Sequence, residues 1–425
     1  MPWYNLHIYW DGSFGACCSE DHKIYAPNNS QYNIAQMTIR DWFNSEPVRQ
    51  FRMDIVNHRA MSACRGCYLE EDHGGNSRRH KENQKSAIFQ QAFEISVRQS
   101  PGWPHFNHSA NNNGFTNNLP IDLHIDLGNF CNLACKMCNA QASSTIASQE
   151  VRWGIESSRP YLGTNWTADE QVWLSFKTQL LEIHGLNNIH FMGGETLLTP
   201  RLENLVDWLI QHDRLDVCLS FVTNGTVYNS RLLEKLKNFR RVGIEISIET
   251  LTAHNAYQRQ GTDTSKVLDN IAQYQQWSNG NSITVSLRPA PSLLTIGYYP
   301  TLLQFAYQNN LIVKSNLCYN PKFLYAIYLP DPVKKLYLSK YQDFVTKYKT
   351  VTAMDINASD PNNSSAVVAQ EAQMCMNILQ QPSPGDSETQ LALMVDHCRK
   401  WDKVYGLDAR KLYPELVDVW DRYGY

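Results

Sequence analysis

The chain has 425 residues, 43% hydrophobic and 19% charged, the balance of an ordinary soluble globular protein of two or three domains. With 38 basic against 41 acidic residues the formal net charge is −3, so no global basic field exists to hold nucleic acid or an anionic membrane, and neither is expected as a partner. No apolar run is long enough for a transmembrane helix, and "MPWYNLHIYWDG" lacks the basic and apolar regions of a signal peptide. The expected location is therefore cytoplasmic. In that reducing compartment the eleven cysteines read as metal ligands or catalytic thiols rather than a disulfide framework.

Residues 1–72 read as one compact unit: a hairpin in "LHIYWDGSFGACC", a helix in "TIRDWFNSEPVRQFRM", then "CRGC". Residues 73–120 read as a linker with a helix at 81–98, preceded by "RRHK" (Arg78 to Lys81), a solvated helix start. It ends in a loop rich in Asn, Pro and Gly. From 121 to 320, β-branched runs ("IDLHIDLG", "NIHFMGG", "VCLSFVTN", "VGIEISIE", "SITVSLRPA", "NLIVKSNLC") alternate with stretches whose apolar residues recur at helical steps. Such alternation predicts parallel βα units, with active residues at the C-terminal strand ends. The first crossover, 139–187, is long and carries an extra helix at "TADEQVWLSFKTQLLEI". Residues 321–425 read as mostly helical.

"CNLACKMC" places Cys131, Cys135 and Cys138 directly after the first strand of that alternating region, with no fourth cysteine nearby. A closed zinc site and a four-cysteine iron–sulfur cluster both want four ligands. Three thiolates on a cubane leave one iron open, as a catalytic metal site requires.

The C-x3-C-x2-C spacing after a first strand resembles the signature of the radical S-adenosylmethionine (radical SAM) superfamily. The resemblance implies a [4Fe-4S] cluster on Cys131, Cys135 and Cys138, with the open iron chelated by SAM. It implies reductive cleavage of SAM to methionine and a 5′-deoxyadenosyl radical, which abstracts hydrogen from a substrate. "MGGE" resembles the family's GGE motif, so Gly193, Gly194 and Glu195 are expected at the SAM amino group. "VTNGT" and "SIET" end the next strands, placing Asn224, Ser247 and Glu249 at the ribose or methionine portion. Arg259 in "YQRQGT" stands where relatives have an arginine near the SAM carboxylate. One departure is Met137, where the family often has an aromatic residue.

A second set comprises Cys17, Cys18, Cys64 and Cys67. Zinc is the bland reading, since a CxxC and a remote cysteine make a common zinc site. The hairpin, Trp-containing helix and CxxCY-x-E segment instead resemble the twitch (SPASM-like) module of radical SAM proteins, which implies an auxiliary [4Fe-4S] cluster. Relatives commonly have a further cysteine just before the "PW". This leaves several ligand sets open: three cysteines with an open iron, both vicinal cysteines, or completion by His73 or Cys375.

The implied fold class is α/β: a partial (β/α)6 TIM-like barrel with an N-terminal twitch-like auxiliary-cluster module and a helical C-terminal region. The expected activity is that of a hydrogen-abstracting radical SAM oxidoreductase acting on a peptide or protein side chain, with flavodoxin or ferredoxin as electron donor. Alternatives are a radical SAM reaction on a nucleotide, sugar or cofactor precursor, and a non-enzymatic zinc-stabilised binding protein. No catalytic acid or base is assigned. Tyr68, Glu70 and Glu71 are candidates only through proximity to the CxxC.

Overall fold

The β-branched runs become strands whose side chains alternate between an apolar face and a polar one. The structure is a computed structural model describing residues 2–17, 24, 31–72, 77, 79–80, 108–163, 165–280, 282–354 and 364–425, without the side chains of 349–354 and 364–366. Cys18, His73 and the expected helix at 81–98 lie outside the described residues.

Ten strands are described: β1 (Asn5–Ile8), β2 (Phe14–Gly15), β3 (Asp122–Asp126), β4 (Ala134–Cys135), β5 (Asn188–Met192), β6 (Cys218–Thr223), β7 (Arg241–Ile246), β8 (Arg259–Gln260), β9 (Ile283–Leu287) and β10 (Ile312–Val313). Eight form one sheet in the order β10-β9-β7-β6-β5-β3-β1-β2. The six expected strands of the alternating region are its β3, β5, β6, β7, β9 and β10, all parallel to their neighbours. The N-terminal hairpin does not stand apart as the sequence reading had it. β1 pairs in parallel with β3, extending the sheet by one strand, and β2 closes that edge antiparallel to β1. Leu6, Ile8, Phe14 and Trp42 belong to the same buried core as Leu123, Ile189 and Phe221.

The expected helix over "TIRDWFNSEPVRQFRM" is two helices, α1 (Ile39–Phe43) and α2 (Glu46–Val56). Pro47 explains the break. It has no N–H to donate and fits only a first turn, so the chain restarts at Ser45. The third N-terminal helix is α3 (Arg65–Asp72). Arg52 of α2 fastens this segment from inside: its buried guanidinium donates to the carbonyls of Pro2 (2.7 Å) and Gly114 (2.8 Å) and lies over Phe43. Burial pulls its pKa down to about 9.

The crossovers supply α4 (Ser144–Arg152), α5 (Glu170–Glu182), α6 (Pro200–Gln211), α7 (Ser230–Leu236), α8 (Ala253–Gln258), α9 (Thr264–Ser278) and α10 (Tyr299–Gln308). α5 is the extra helix expected in the long first crossover. The C-terminal region is helical as expected: α11 (Asp331–Met354), α12 (Ser364–Gln380), α13 (Ser387–Tyr405), α14 (Ala409–Leu412) and α15 (Val417–Arg422). No described helix is long and apolar enough to cross a membrane.

The polar face of the sheet carries a row that the sequence reading passed over. His7, His124 and His190 are register partners on β1, β3 and β5, with Ser220 next on β6. The His124 and His190 rings pack against each other, tilted by 55° with centroids 4.8 Å apart, and His190 Nδ1 lies 2.8 Å from Ser220 Oγ. The signal was present in the sequence as "LHI", "LHI" and "IHF", each an apolar-His-apolar triplet.

Candidate active site

Cys131, Cys135 and Cys138 sit on a loop between β3 and α4 that is braced at both ends. At the α4 end, Ser144 Oγ accepts from Cys131 N (3.2 Å), Thr145 donates to the Cys131 carbonyl (2.6 Å) and Ser143 donates to the Leu133 carbonyl (2.8 Å). In the middle, β4 pairs antiparallel with β8, setting Cys135 opposite Arg259. Burial first, then the Cys135 sulfur, push the Cys131 thiol up to about 12. Cys138 rises to about 12 through burial and the sulfurs of Cys135 and Cys131. The three thiols thus lie close enough to act on one another electrostatically, and a metal binding there displaces their protons.

Among the described residues no three His, Cys, Asp or Glu side chains are grouped to hold a single metal ion. Thiolates sharing one tetrahedral zinc stand about 3.8 Å apart, given a Zn–S length of about 2.3 Å. On an iron–sulfur cluster each thiolate instead binds a different iron. The surroundings fit an anionic cluster: two cations press on the loop from within the protein. Arg259 Nη1 lies 3.8 Å from Cys135 Sγ. Lys136 is fully buried, donates to the Tyr257 carbonyl (2.8 Å) and lies 3.7 Å from the Tyr257 ring centroid. Burial pulls the Lys136 pKa down to about 8. Among the described residues no carboxylate forms an ion pair with it. The buried Asp402 acts on it only from beyond ion-pair distance. A buried ammonium without an ion pair is costly, and a negatively charged cluster beside it removes much of that cost.

The GGE turn closes on the cysteine loop. Gly193 and Gly194 have φ of +77° and +55°, and a Cβ on Gly194 would stand 2.3 Å from the Phe130 carbonyl oxygen. Only glycine fits there. Glu195 N donates to that same carbonyl at 2.7 Å.

The Glu195 carboxylate is engaged within the fold. It is buried and turned toward the end of β6, where it accepts from Thr223 Oγ1 (2.7 Å), Asn224 N (2.6 Å) and Leu197 N (3.2 Å). Burial raises its pKa against the pull of those donors. Its observed partners are strand-end donors, so its role in the structure is to tie β5 to β6.

Asn224 is likewise engaged. Its amide donates to Asn132 Oδ1 (2.8 Å) and its Oδ1 accepts from Thr226 (2.7 Å), linking β6 to the cysteine loop. Glu249 and Arg259 meet each other: Arg259 Nε and Nη2 donate to Glu249 Oε1 at 2.8 and 2.5 Å, and Ala290 N donates to Oε2. Burial lowers the Arg259 pKa, but Glu249 and Cys135 outweigh it and leave the net shift upward. Ser247 N donates to the Thr223 carbonyl, while its hydroxyl has no hydrogen-bond partner among the described residues.

Of the N-terminal set, Cys17 is buried and its carbonyl accepts from Tyr9 Oη (3.0 Å) and His7 Nδ1 (3.1 Å). The other His7 nitrogen reaches Asp126 Oδ1 at 3.1 Å. Asp126 ends β3 under the GGE turn, since a Cβ on Gly193 would stand 2.7 Å from its Cβ. Cys64 closes a short turn before α3 and Cys67 lies on α3. Burial, then the Cys67 sulfur, raise the Cys64 pKa. Burial, then Glu70, Tyr325 and Cys67, also raise the Tyr319 pKa, which sets α3 beside the segment after β10. Glu71 is taken up by Arg79 and Ser77, and Tyr68 lies under the Arg79 guanidinium.

Residues 125–278 match the family model of the radical SAM superfamily, and residues 1–68 match that of an iron–sulfur cluster-binding domain, SPASM. The chain is a radical SAM protein with a SPASM-like domain. It is similar to the radical SAM cyclopropyl synthase TigE of Paramaledivibacter caminithermalis, 24% identical over 222 residues, half of this chain and 45% of that one. The chain thus spans about half the length of the curated relative it matches.

Among solved structures it resembles native anSMEcpe with bound AdoMet and Cp18Cys peptide (18% identity, TM-score 0.38, 54% of this chain and 61% of that one). It also resembles Streptococcus suis SuiB bound to S-adenosylmethionine (13% identity, TM-score 0.37, 63% and 58%). The matched family implies a SAM-binding [4Fe-4S] cluster and SAM, and the SPASM match implies auxiliary iron–sulfur binding in the N-terminal segment.

Proposed function

We propose that the chain is a radical SAM enzyme that abstracts hydrogen from a peptide or protein side chain. The carrying observation is the Cys131–Cys135–Cys138 loop, three electrostatically coupled thiols backed by the buried Lys136 and by Arg259. The cluster, when bound, supplies the electron that cleaves SAM to methionine and a 5′-deoxyadenosyl radical. The rest is the work of the chain's own residues.

Cys131, Cys135 and Cys138 hold the cluster and leave one coordination position for SAM. The Gly193–Gly194 backbone lets the ligand approach where a Cβ would obstruct it. Glu195 fixes the end of β6, so that Asn224 and the unengaged Ser247 hydroxyl are presented at adjacent strand ends. Arg259 holds Cys135 and Glu249 together. It meets the SAM carboxylate only if SAM displaces part of that pairing. Cys17, Cys64 and Cys67, with Cys18, are the auxiliary ligands in this reading. A flavodoxin- or ferredoxin-type protein supplies the electron. The peptide substrate is favoured by the N-terminal iron–sulfur domain, a module that resembles those of peptide-modifying radical enzymes.

The test is anaerobic reconstitution, reduction with dithionite in the presence of SAM, and quantification of 5′-deoxyadenosine and methionine. The expected result is equimolar formation of both, abolished in Cys135→Ala. A fully loaded protein that forms neither overturns the proposal.

A further inference from the structure

Lys136 is the residue of the cysteine loop that the proposed mechanism leaves without a task. It lies between Cys135 and Cys138, yet it is fully buried and turned away from solvent. The fold holds it firmly. Its N–H donates to the Gln258 carbonyl at 2.8 Å, and its ammonium donates to the Tyr257 carbonyl at 2.8 Å. The ammonium lies 3.7 Å from the Tyr257 ring centroid and 5.5 Å from that of Trp401. Trp401 is on α13 and packs with Ala134, Ala140 and Cys138 in a small cluster of its own. The C-terminal region, where the sequence resemblance is weakest, therefore covers the outer side of the cysteine loop and the lysine within it.

Aromatic faces and a carbonyl stabilise a cation in a dry site without neutralising it. A carboxylate would have served packing equally well and cancelled the charge. Among the described residues none pairs with Lys136, whereas Arg259, the loop's other cation, is paired with Glu249. The loop cation without an ion-paired carboxylate is thus Lys136, whose charge the buried Asp402 of α13 offsets only from beyond ion-pair distance.

We propose that Lys136 is a positioning residue of the electrostatic kind. Its fixed positive charge stabilises the extra electron of the reduced SAM-binding cluster and raises that cluster's reduction potential. The step is a one-electron reduction, with the electron supplied by dithionite or a flavodoxin-type donor. Charge, hydrogen bonds and burial around cluster sulfurs are the protein's usual means of setting such potentials. The inference rests on Cys131, Cys135 and Cys138 being the cluster ligands.

The test compares full-length wild type, Lys136→Met and Lys136→Arg, each reconstituted without oxygen. Iron per chain is counted, and the cluster midpoint is read by redox titration followed by EPR, with and without SAM. The expected result is a more negative midpoint in Lys136→Met and a near-wild-type midpoint in Lys136→Arg at equal iron content. An unchanged midpoint in fully loaded Lys136→Met overturns the inference. If Lys136→Met fails to load iron while Lys136→Arg loads normally, the positive charge is confirmed as what the cluster requires. If both fail, the role is shape rather than charge and the inference falls. Wild type with no SAM-responsive signal would instead remove the underlying ligand assignment.

Discussion

Both oxygens of Glu195 are occupied by donors from the end of β6, which sets what a conservative change does there. In Glu195→Gln an amide NH2 faces donors, leaving buried N–H and O–H groups unsatisfied. The expected loss is about 2–3 kcal/mol of stability, read by urea unfolding of the cluster-free protein, together with weakened SAM binding.

Glu245 gives a prediction with a pH signature. Burial pushes its pKa up, but Arg288 and Lys314 (2.9 Å) more than reverse this and hold it well below the ordinary carboxylate range. A depressed folded-state pKa means the stabilisation is complete above the unfolded value of about 4.3 and is lost as pH falls through the folded value. Glu245→Gln should therefore cost about 1–3 kcal/mol at neutral pH, discounted for the partial exposure of both cations. The gap from wild type should narrow below about pH 4, as measured by denaturant melts across pH. The cysteine cluster was legible at this scale because its spacing is local. The partners of Glu195 were not, because Thr223 and Asn224 lie 28 and 29 residues further on and only the parallel pairing of β5 with β6 brings them together.

At the scale of elements, the cysteine loop is held by the Gly193–Gly194 turn, the α4 hydroxyls and the β4–β8 pairing. Gly194→Ala places a methyl 2.3 Å from the Phe130 carbonyl oxygen at a φ of +55°. The loop must move, at a cost of about 2 kcal/mol or more. The expected consequence is a cluster that still loads iron but whose EPR signal no longer changes on adding SAM. The six strands and the long crossover helix were legible from periodicity. The break between α1 and α2 was missed because apolar spacing carries across it, and Pro47 in a first turn reads like continuation. β8 was unreadable, since a two-residue strand has no period and exists only by pairing with the cysteine loop.

For the whole molecule, the main surprise is that the N-terminal segment is structurally part of the sheet. β1 sits on the β3 edge, and Leu6, Ile8 and Phe14 are in the common core. Such a pairing joins residues more than a hundred positions apart, which no local pattern announces. It also brings the Cys17 carbonyl, through His7, into a hydrogen-bonded chain with Asp126 beneath the GGE turn. Removing residues 2–17 should uncover the β3 edge and leave an insoluble chain rather than a free-standing barrel. By the same argument the N-terminal segment and the barrel should unfold in one calorimetric transition, and two resolved transitions would contradict the shared core.

The central claim is that one chain holds an open SAM-binding cubane and an auxiliary iron–sulfur cluster. Its most direct test is iron counting of anaerobically reconstituted protein, coupled to low-temperature EPR of the reduced state with and without SAM. The prediction is about eight irons per chain and two reduced signals, of which one shifts on adding SAM and is lost in Cys131→Ala. Zinc in place of iron, or loaded clusters whose signals SAM does not alter, would contradict it.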